Sequence, residues 1–115
     1  MIGEQRTPAH VADMLQFVAE LQALVAGRSR EEYLTDRVLN LAVEKLFINV
    51  GEAANRIDPE QRLAIPDVPW RQIIGLRNIL AHGYEQIEHE SLYRTASQDL
   101  GPVEAALREW LQRQG

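Results

Sequence analysis

The chain contains no cysteine. Disulfides and thiolate metal sites are thereby excluded, and a reducing cytosol suits such a protein. Lysine is almost missing: of twelve basic residues only Lys45 is a lysine, which leaves eleven arginines. Genomic base composition suffices to explain that bias, so no function is attached to it. Positive charge is in deficit overall, with a net charge of −5. This argues against coating nucleic acid through a broad basic surface. It leaves room for a small local RNA site, and it suits recognition of a basic partner surface. No apolar run reaches membrane-spanning length. The stretch Met1-Ile2-Gly3-Glu4-Gln5-Arg6 lacks the apolar region of a signal peptide, so a cytoplasmic location is expected. Recognisable catalytic motifs are also few. Three scattered histidines without a His-Glu-x-x-His offer no metal-ligand spacing. There is no Gly-rich phosphate loop and no Gly-x-Ser-x-Gly elbow. An enzyme built from this chain would work by acid–base catalysis with charge stabilisation.

The chain does have enough apolar material, 45% of 115 residues, for one domain spanning residues 1–115 around a single core. Its periodicity is helical. Val11, Met14, Leu15, Val18, Leu21 and Val25 recur at three- and four-residue spacing, which predicts a helix from about Pro8 to Ala26, stopped by Gly27. Ser29-Arg30-Glu31-Glu32 reads as a capping box, followed by a short turn through Leu34. A long helix is expected from about Asp36 to Ile57, ending before Asp58-Pro59. Leu39, Val43, Leu46, Val50, Ala53 and Ile57 form one apolar stripe on it. Val38, Leu41, Ala42 and Ile48 carry apolar character further around the cylinder. A surface helix needs only one such face. The second belongs either to a helix contacted on several sides within one bundle or to a homodimer seam. A polar line, Lys45, Asn49, Glu52 and Arg56, also shares one face. It is either a solvated edge or the source of a Glu52–Arg77 pair. A mid-helix Gly51 next to Glu52 costs about 1 kcal/mol relative to Ala, which close approach of another helix would explain. Gly75 invites the same reading.

Residues 58–69, with Pro59, Pro66 and Pro69, form the longest connection. It is expected to pack few apolar groups and to make at most one turn, over Gln61 to Leu63. Trp70 opens the next helix as a core anchor rather than a base-stacking platform. That helix runs to His82, with Ile73, Leu76, Leu80 and Ile79 facing inward. A last helix, from about Glu90 to Arg113, should kink or split at Gly101-Pro102. His10 and His89 are read as solvated.

Chemistry concentrates in Arg77-Asn78-Ile79-Leu80-Ala81-His82-Gly83-Tyr84. Along a helix Arg77 and His82 are separated by a rise of ~7.5 Å and ~140° beyond a full turn, so they flank one broad face. Asn78 and His82 stack at i and i+4. Gly83 is suited to end the helix, which puts His82 in its last turn, where the dipole favours a cation. A phosphate there would meet a guanidinium, an amide and an imidazole. The same spacing also describes an ordinary capped helix end, and Tyr84 by default is amphipathic surface packing.

Three strings occur in order: Val50-Gly51-Glu52-Ala53-Ala54, Ile65-Pro66-Asp67-Val68-Pro69-Trp70, and Gly75-Leu76 running into the motif just given. Together they resemble the HEPN superfamily, and within it the HepT-like toxins of toxin–antitoxin pairs. The resemblance covers nearly the whole chain and includes a complete Arg-x4-His-x-Tyr. One departure is Tyr93, where many relatives have Trp. The resemblance implies an all-α, antiparallel four- to five-helix bundle that works as a homodimer. It implies metal-independent RNA cleavage without a cofactor, with catalytic Arg77 and His82 and supporting Asn78 and Glu52. It also implies a type VII-like system, in which a nucleotidyltransferase antitoxin neutralises the toxin by transferring AMP to Tyr84. The alternative is a non-catalytic nucleotide-binding or adaptor partner of a nucleotidyltransferase. A third possibility is a structural helical bundle.

Overall fold

The structure is a computed structural model. It describes residues 2–83 and 87–114, with side chains from residue 6 onward. The described residues contain helices and no strand. No helix among them is long and apolar enough to cross a membrane. The helices form the expected all-α bundle.

Helix α1 spans Ile2–Val25. It begins upstream of the expected Pro8, which lies inside it. The hydrogen bond that proline removes falls in the first two turns, where the helix is least committed. Val11, Met14, Val18, Leu21 and Val25 are all buried along one stripe. Gly27 has φ of +74° and turns the chain out of the helix. Helix α2, Arg30–Thr35, starts at the expected capping box. The Glu32 backbone N–H donates to Ser29 Oγ at 3.1 Å, and the Ser29 N–H donates to Glu32 Oε1 at 2.8 Å.

Helix α3, Arg37–Arg56, is the centre of the bundle: α1 packs on one side of it and the helix that begins at Trp70 on another. Asp36 caps it by accepting the Leu39 N–H at 3.0 Å. Its inner stripe holds Leu39, Val43, Val50 and Ala53, continues to Ile57 at the helix end, and includes Phe47, which the periodicity did not single out. The one turn expected at Gln61–Leu63 sits slightly earlier, as α4, Pro59–Arg62, because Pro59 is pre-organised for a first helical turn. The connection is less empty than expected. Ile65 and Val68 are both core residues. The indole N–H of Trp70 donates to the carbonyls of Arg62, at 3.1 Å, and Ile65, at 3.0 Å. Trp70 thus anchors the loop to the start of helix α5, Trp70–His82. Leu80 of α5 is buried and Ile73 and Leu76 are half-buried, whereas Ile79, expected inside, is 45% exposed. The core-facing arc of α5 is narrower than its apolar content suggested.

The last segment runs as α6, His89–Arg94, then a π-helical turn over Thr95–Asp99, then α7, Leu100–Gln114. Gly101-Pro102 lies in the first turn of α7, and the irregularity falls just before it. A proline cannot donate to a carbonyl four residues back, and its ring crowds that carbonyl. The wider π turn reseats the chain so that Pro102 occupies a tolerated first-turn position. The register of the apolar face survives: Leu92, Ala96, Leu100, Val103, Leu107 and Trp110 are all buried. Tyr93, the departure noted above, stacks on Tyr33 with ring centroids 5.3 Å apart, and its hydroxyl donates to the Arg28 carbonyl.

Helix α7 is tied to α1 by Gln22, whose Nε2 donates to Glu104 Oε1 at 2.5 Å. Arg108 donates to the other Glu104 oxygen at 2.7 Å. Arg108 first, and Gln22 second, hold the Glu104 carboxyl below the usual carboxylate range. A depressed folded pKa stabilises above the unfolded value, near 4.3, and loses that contribution as pH falls through the folded value. We therefore expect Glu104→Gln to lower stability at pH 7 by a few tenths of a kcal/mol. The difference from the parent should shrink on acidification below about pH 4. Urea unfolding at pH 7 and pH 3 measures both.

Candidate functional site

The site begins with a missing side chain. Gly51 of α3 faces α5 so closely that an added Cβ would overlap Arg77 Cβ. It would also come within 2.8 Å of Arg77 Cγ and 3.2 Å of the Ile73 carbonyl oxygen. No residue larger than glycine fits this crossing without movement of a helix. The close approach inferred at Gly51 is therefore real. Gly75 is different: a Cβ there meets nothing within 4 Å, so it marks no second crossing.

Because Arg77 leaves the backbone inside this contact, its stem is fixed and its guanidinium emerges beside Glu52. Nη2 donates to Glu52 Oε2 at 3.5 Å, and Nη1 to Asn78 Oδ1 at 3.0 Å. The Arg77 and Glu52 side chains are 27% and 38% exposed. An ion pair this long and this wet contributes under about 1 kcal/mol, so it orients the guanidinium more than it stabilises the fold. Arg77 Nε is buried and has no partner within the described structure. That donor is uncommitted, and an unsatisfied buried N–H next to a positive charge is suited to an anion.

Asn78 is exposed, and its Oδ1 is engaged by Arg77. The i, i+4 stacking with His82 therefore does not determine where that oxygen points. His82 is exposed in the last turn of α5. The Gly83 N–H closes the helix on the Ile79 carbonyl at 2.7 Å. Gly83 has φ of −136°, so it ends the helix without the left-handed conformation that glycine usually supplies there. Tyr84 lies outside the described residues. The structure thus brings Glu52, Arg77 and Asn78 into one hydrogen-bonded row, with His82 further along the same helix.

The polar line of α3 is mostly a wet edge. Lys45 and Arg56 are exposed, Asn49 is half-buried, and Glu52 is the member drawn toward α5. Beside this line, Val38 is 77% exposed and Leu41 is 47% exposed. The second apolar face of α3 is therefore not fully covered by the described part of the chain. On the other flank of α5 lies a cavity of about 440 Å³, lined mainly by Phe47, Val50, Ile73, Leu76, Leu100 and Val103. Nothing in the apolar spacing of α5 distinguished residues that line this opening from residues sealed in the core. Among the described residues, no group of three or more His, Cys, Asp or Glu could hold a metal ion.

A family model described as ribonuclease HepT-like matches residues 14–110. A protein of Methanocaldococcus jannaschii named as a candidate RNase is 27% identical over 102 residues, covering 89% of this chain and 94% of its own length. A similarly named protein of Caldanaerobacter subterraneus subsp. tengcongensis is 29% identical over 105 residues, or 91% of each chain. A probable ribonuclease HepT of Thermococcus cleftensis is 28% identical over 92 residues, covering 76% of this chain and 84% of its own. No solved structure matches the chain.

The loose geometry of the Glu52–Arg77 pair has a measurable consequence. Glu52→Gln should cost less than about 1 kcal/mol in urea unfolding. A loss above roughly 3 kcal/mol would instead mark a desolvated pair on which the fold depends.

Proposed function

The chain belongs to the HepT-like ribonuclease family, and on that premise we propose that it is a metal-independent endoribonuclease, the toxin of a type VII-like toxin–antitoxin pair. The observation that carries this reading is the row Glu52–Arg77–Asn78 on the helix that leads to His82. It sets an oriented cation on the same helix whose last turn carries an exposed imidazole.

In the proposed reaction the 2′-hydroxyl of the RNA attacks the adjacent phosphate. The 2′-O–P bond forms as the P–O5′ bond breaks, leaving a cyclic phosphate and a 5′-hydroxyl. His82 moves the proton, and Arg77 stabilises the charge that builds on the phosphorane. Glu52 and Asn78 hold the guanidinium in place for that charge. A single α5 offers few groups, so two copies meeting across a dimer axis make a more complete cleft. Val38, Leu41, Lys45, Ile48 and Glu52 of α3 follow steps of three and four residues, the spacing of a helix–helix seam. The exposure of Val38 and Leu41 supports that seam, and Glu52 at its end would bring the two Arg77 sites toward each other.

Neutralisation is assigned to a nucleotidyltransferase antitoxin that transfers AMP from ATP to the Tyr84 hydroxyl, the Tyr–O–P bond forming as the α–β phosphoanhydride breaks and pyrophosphate leaves. A bulky anion beside the motif would block the cleft and repel RNA phosphates. Nothing in the proposed reaction calls for a cofactor.

Two outcomes test the reading. His82→Ala and Arg77→Ala should each reduce RNA cleavage by about 10²–10⁴-fold with unchanged helical circular dichroism, and cleavage by the parent should survive chelation of divalent metals. A His82→Ala protein as active and as toxic as the parent would favour the adaptor reading. Separately, co-expression with a cognate nucleotidyltransferase should add AMP-sized mass that disappears in Tyr84→Phe. A stable complex without added mass would instead mean neutralisation by binding.

A further inference from the structure

Away from the α5 motif, polar atoms are buried without partners where α2, α3 and α6 meet. Tyr33 is fully buried and Asn40 is 6% exposed. Tyr33 Oη, Asn40 Oδ1 and His89 Nδ1 are each shielded from solvent with no hydrogen-bond partner among the described residues. Glu44 relates the three positions. It stands one turn after Asn40 on the same face of α3. Its Oε2 is 3.6 Å from His89 Nδ1, too long for a hydrogen bond. Its charge reaches the Tyr33 phenol, whose pKa is pushed up to about 12, first by burial and then by Glu44. The Glu44 and His89 side chains are 17% and 31% exposed, so they lie nearer solvent than Tyr33 and Asn40.

The chemistry of the three unpaired atoms limits what can satisfy them. A buried tyrosine at neutral pH must donate, an amide oxygen must accept, and a neutral imidazole nitrogen can do either. A metal ion or an ammonium group serves acceptors alone and would leave the phenol unpaired. A buried polar atom left bare costs the full desolvation of that group, so each of the three favours a partner.

We propose that this junction is a binding site for one resident water molecule, which accepts from Tyr33 Oη and donates to Asn40 Oδ1 and to the His89–Glu44 pair. The water joins α2 and α3 to the first residue of α6. It fixes where the chain re-enters the bundle after the motif helix. Buried waters of this kind make about three hydrogen bonds to otherwise unsatisfied groups.

The test is a crystal structure of the unmodified protein at a resolution that shows ordered solvent, with magnetic relaxation dispersion of water in solution. The expected result is one solvent peak at about 2.7–3.2 Å from Tyr33 Oη, Asn40 Oδ1 and His89 Nδ1 or Glu44, together with a long-lived water signal. That signal should be lost in Tyr33→Phe, or in Asn40→Leu if the first variant does not fold. Direct contact among these side chains with no density between them would overturn the proposal. So would a peak with the scattering and short distances of a metal, or an unchanged long-lived signal in the variants.

Discussion

The contact between Gly51 and Arg77 is the constraint on which the rest of the site depends. Helices normally keep about 8–10 Å between axes because side chains fill the space between them. At Gly51 there is no side chain, and the stem of Arg77 takes the vacant position. A long, flexible cation thereby loses most of its freedom before any ligand arrives. Glu52, the next residue on α3, and Asn78, the next on α5, then meet its two terminal nitrogens. One missing methyl group thus converts a surface arginine into an oriented one. The intrinsic cost of glycine in a helix, about 1 kcal/mol, is the cost of that arrangement.

Helix α3 carries three surfaces at once, and this explains its composition. Its inner stripe supplies the core against α1. Gly51 opens a second surface to α5, and Val38 and Leu41 leave a third exposed. Helix α5 depends on α3 on one side and on Trp70 at its start, where the indole draws the connection down by two carbonyls. The part of α5 that bears Asn78 and His82 faces outward because the inner arc is already taken by Ile73, Arg77 and Leu80.

Much of this was legible in the sequence, for physical reasons that can be named. The apolar stripes of α1 and α3 follow from three- and four-residue spacing, the start of α2 from the Ser29 capping box, and the limits of α5 from Pro69 before it and Gly83 after it. Gly51 stood out because glycine is costly inside a helix, and the same logic failed at Gly75, where the neighbouring space is open. Burial of Ile65 and Val68 was hidden by the prolines around them, since irregular segments have no period to read. Ile79 is apolar, yet its position on the cylinder puts it outside. The π turn before Pro102 could be foreseen as a disturbance but not in its form, because the choice between kink, break and bulge rests on packing against α1. The unpaired atoms of Tyr33, Asn40 and His89 come from three helices and left no trace in spacing.

The most direct test of this account is the RNA-cleavage rate and melting temperature of Gly51→Ala. Helix propensity alone predicts a gain of about 1 kcal/mol from this substitution. Overpacking against Arg77 typically costs about 1–3 kcal/mol and forces α5 to move. The account predicts a helical protein that melts no higher than the parent and cleaves RNA far more slowly, because Arg77 has been displaced. A variant that melts higher and cleaves at the parental rate would show that the Gly51 crossing does not position the site.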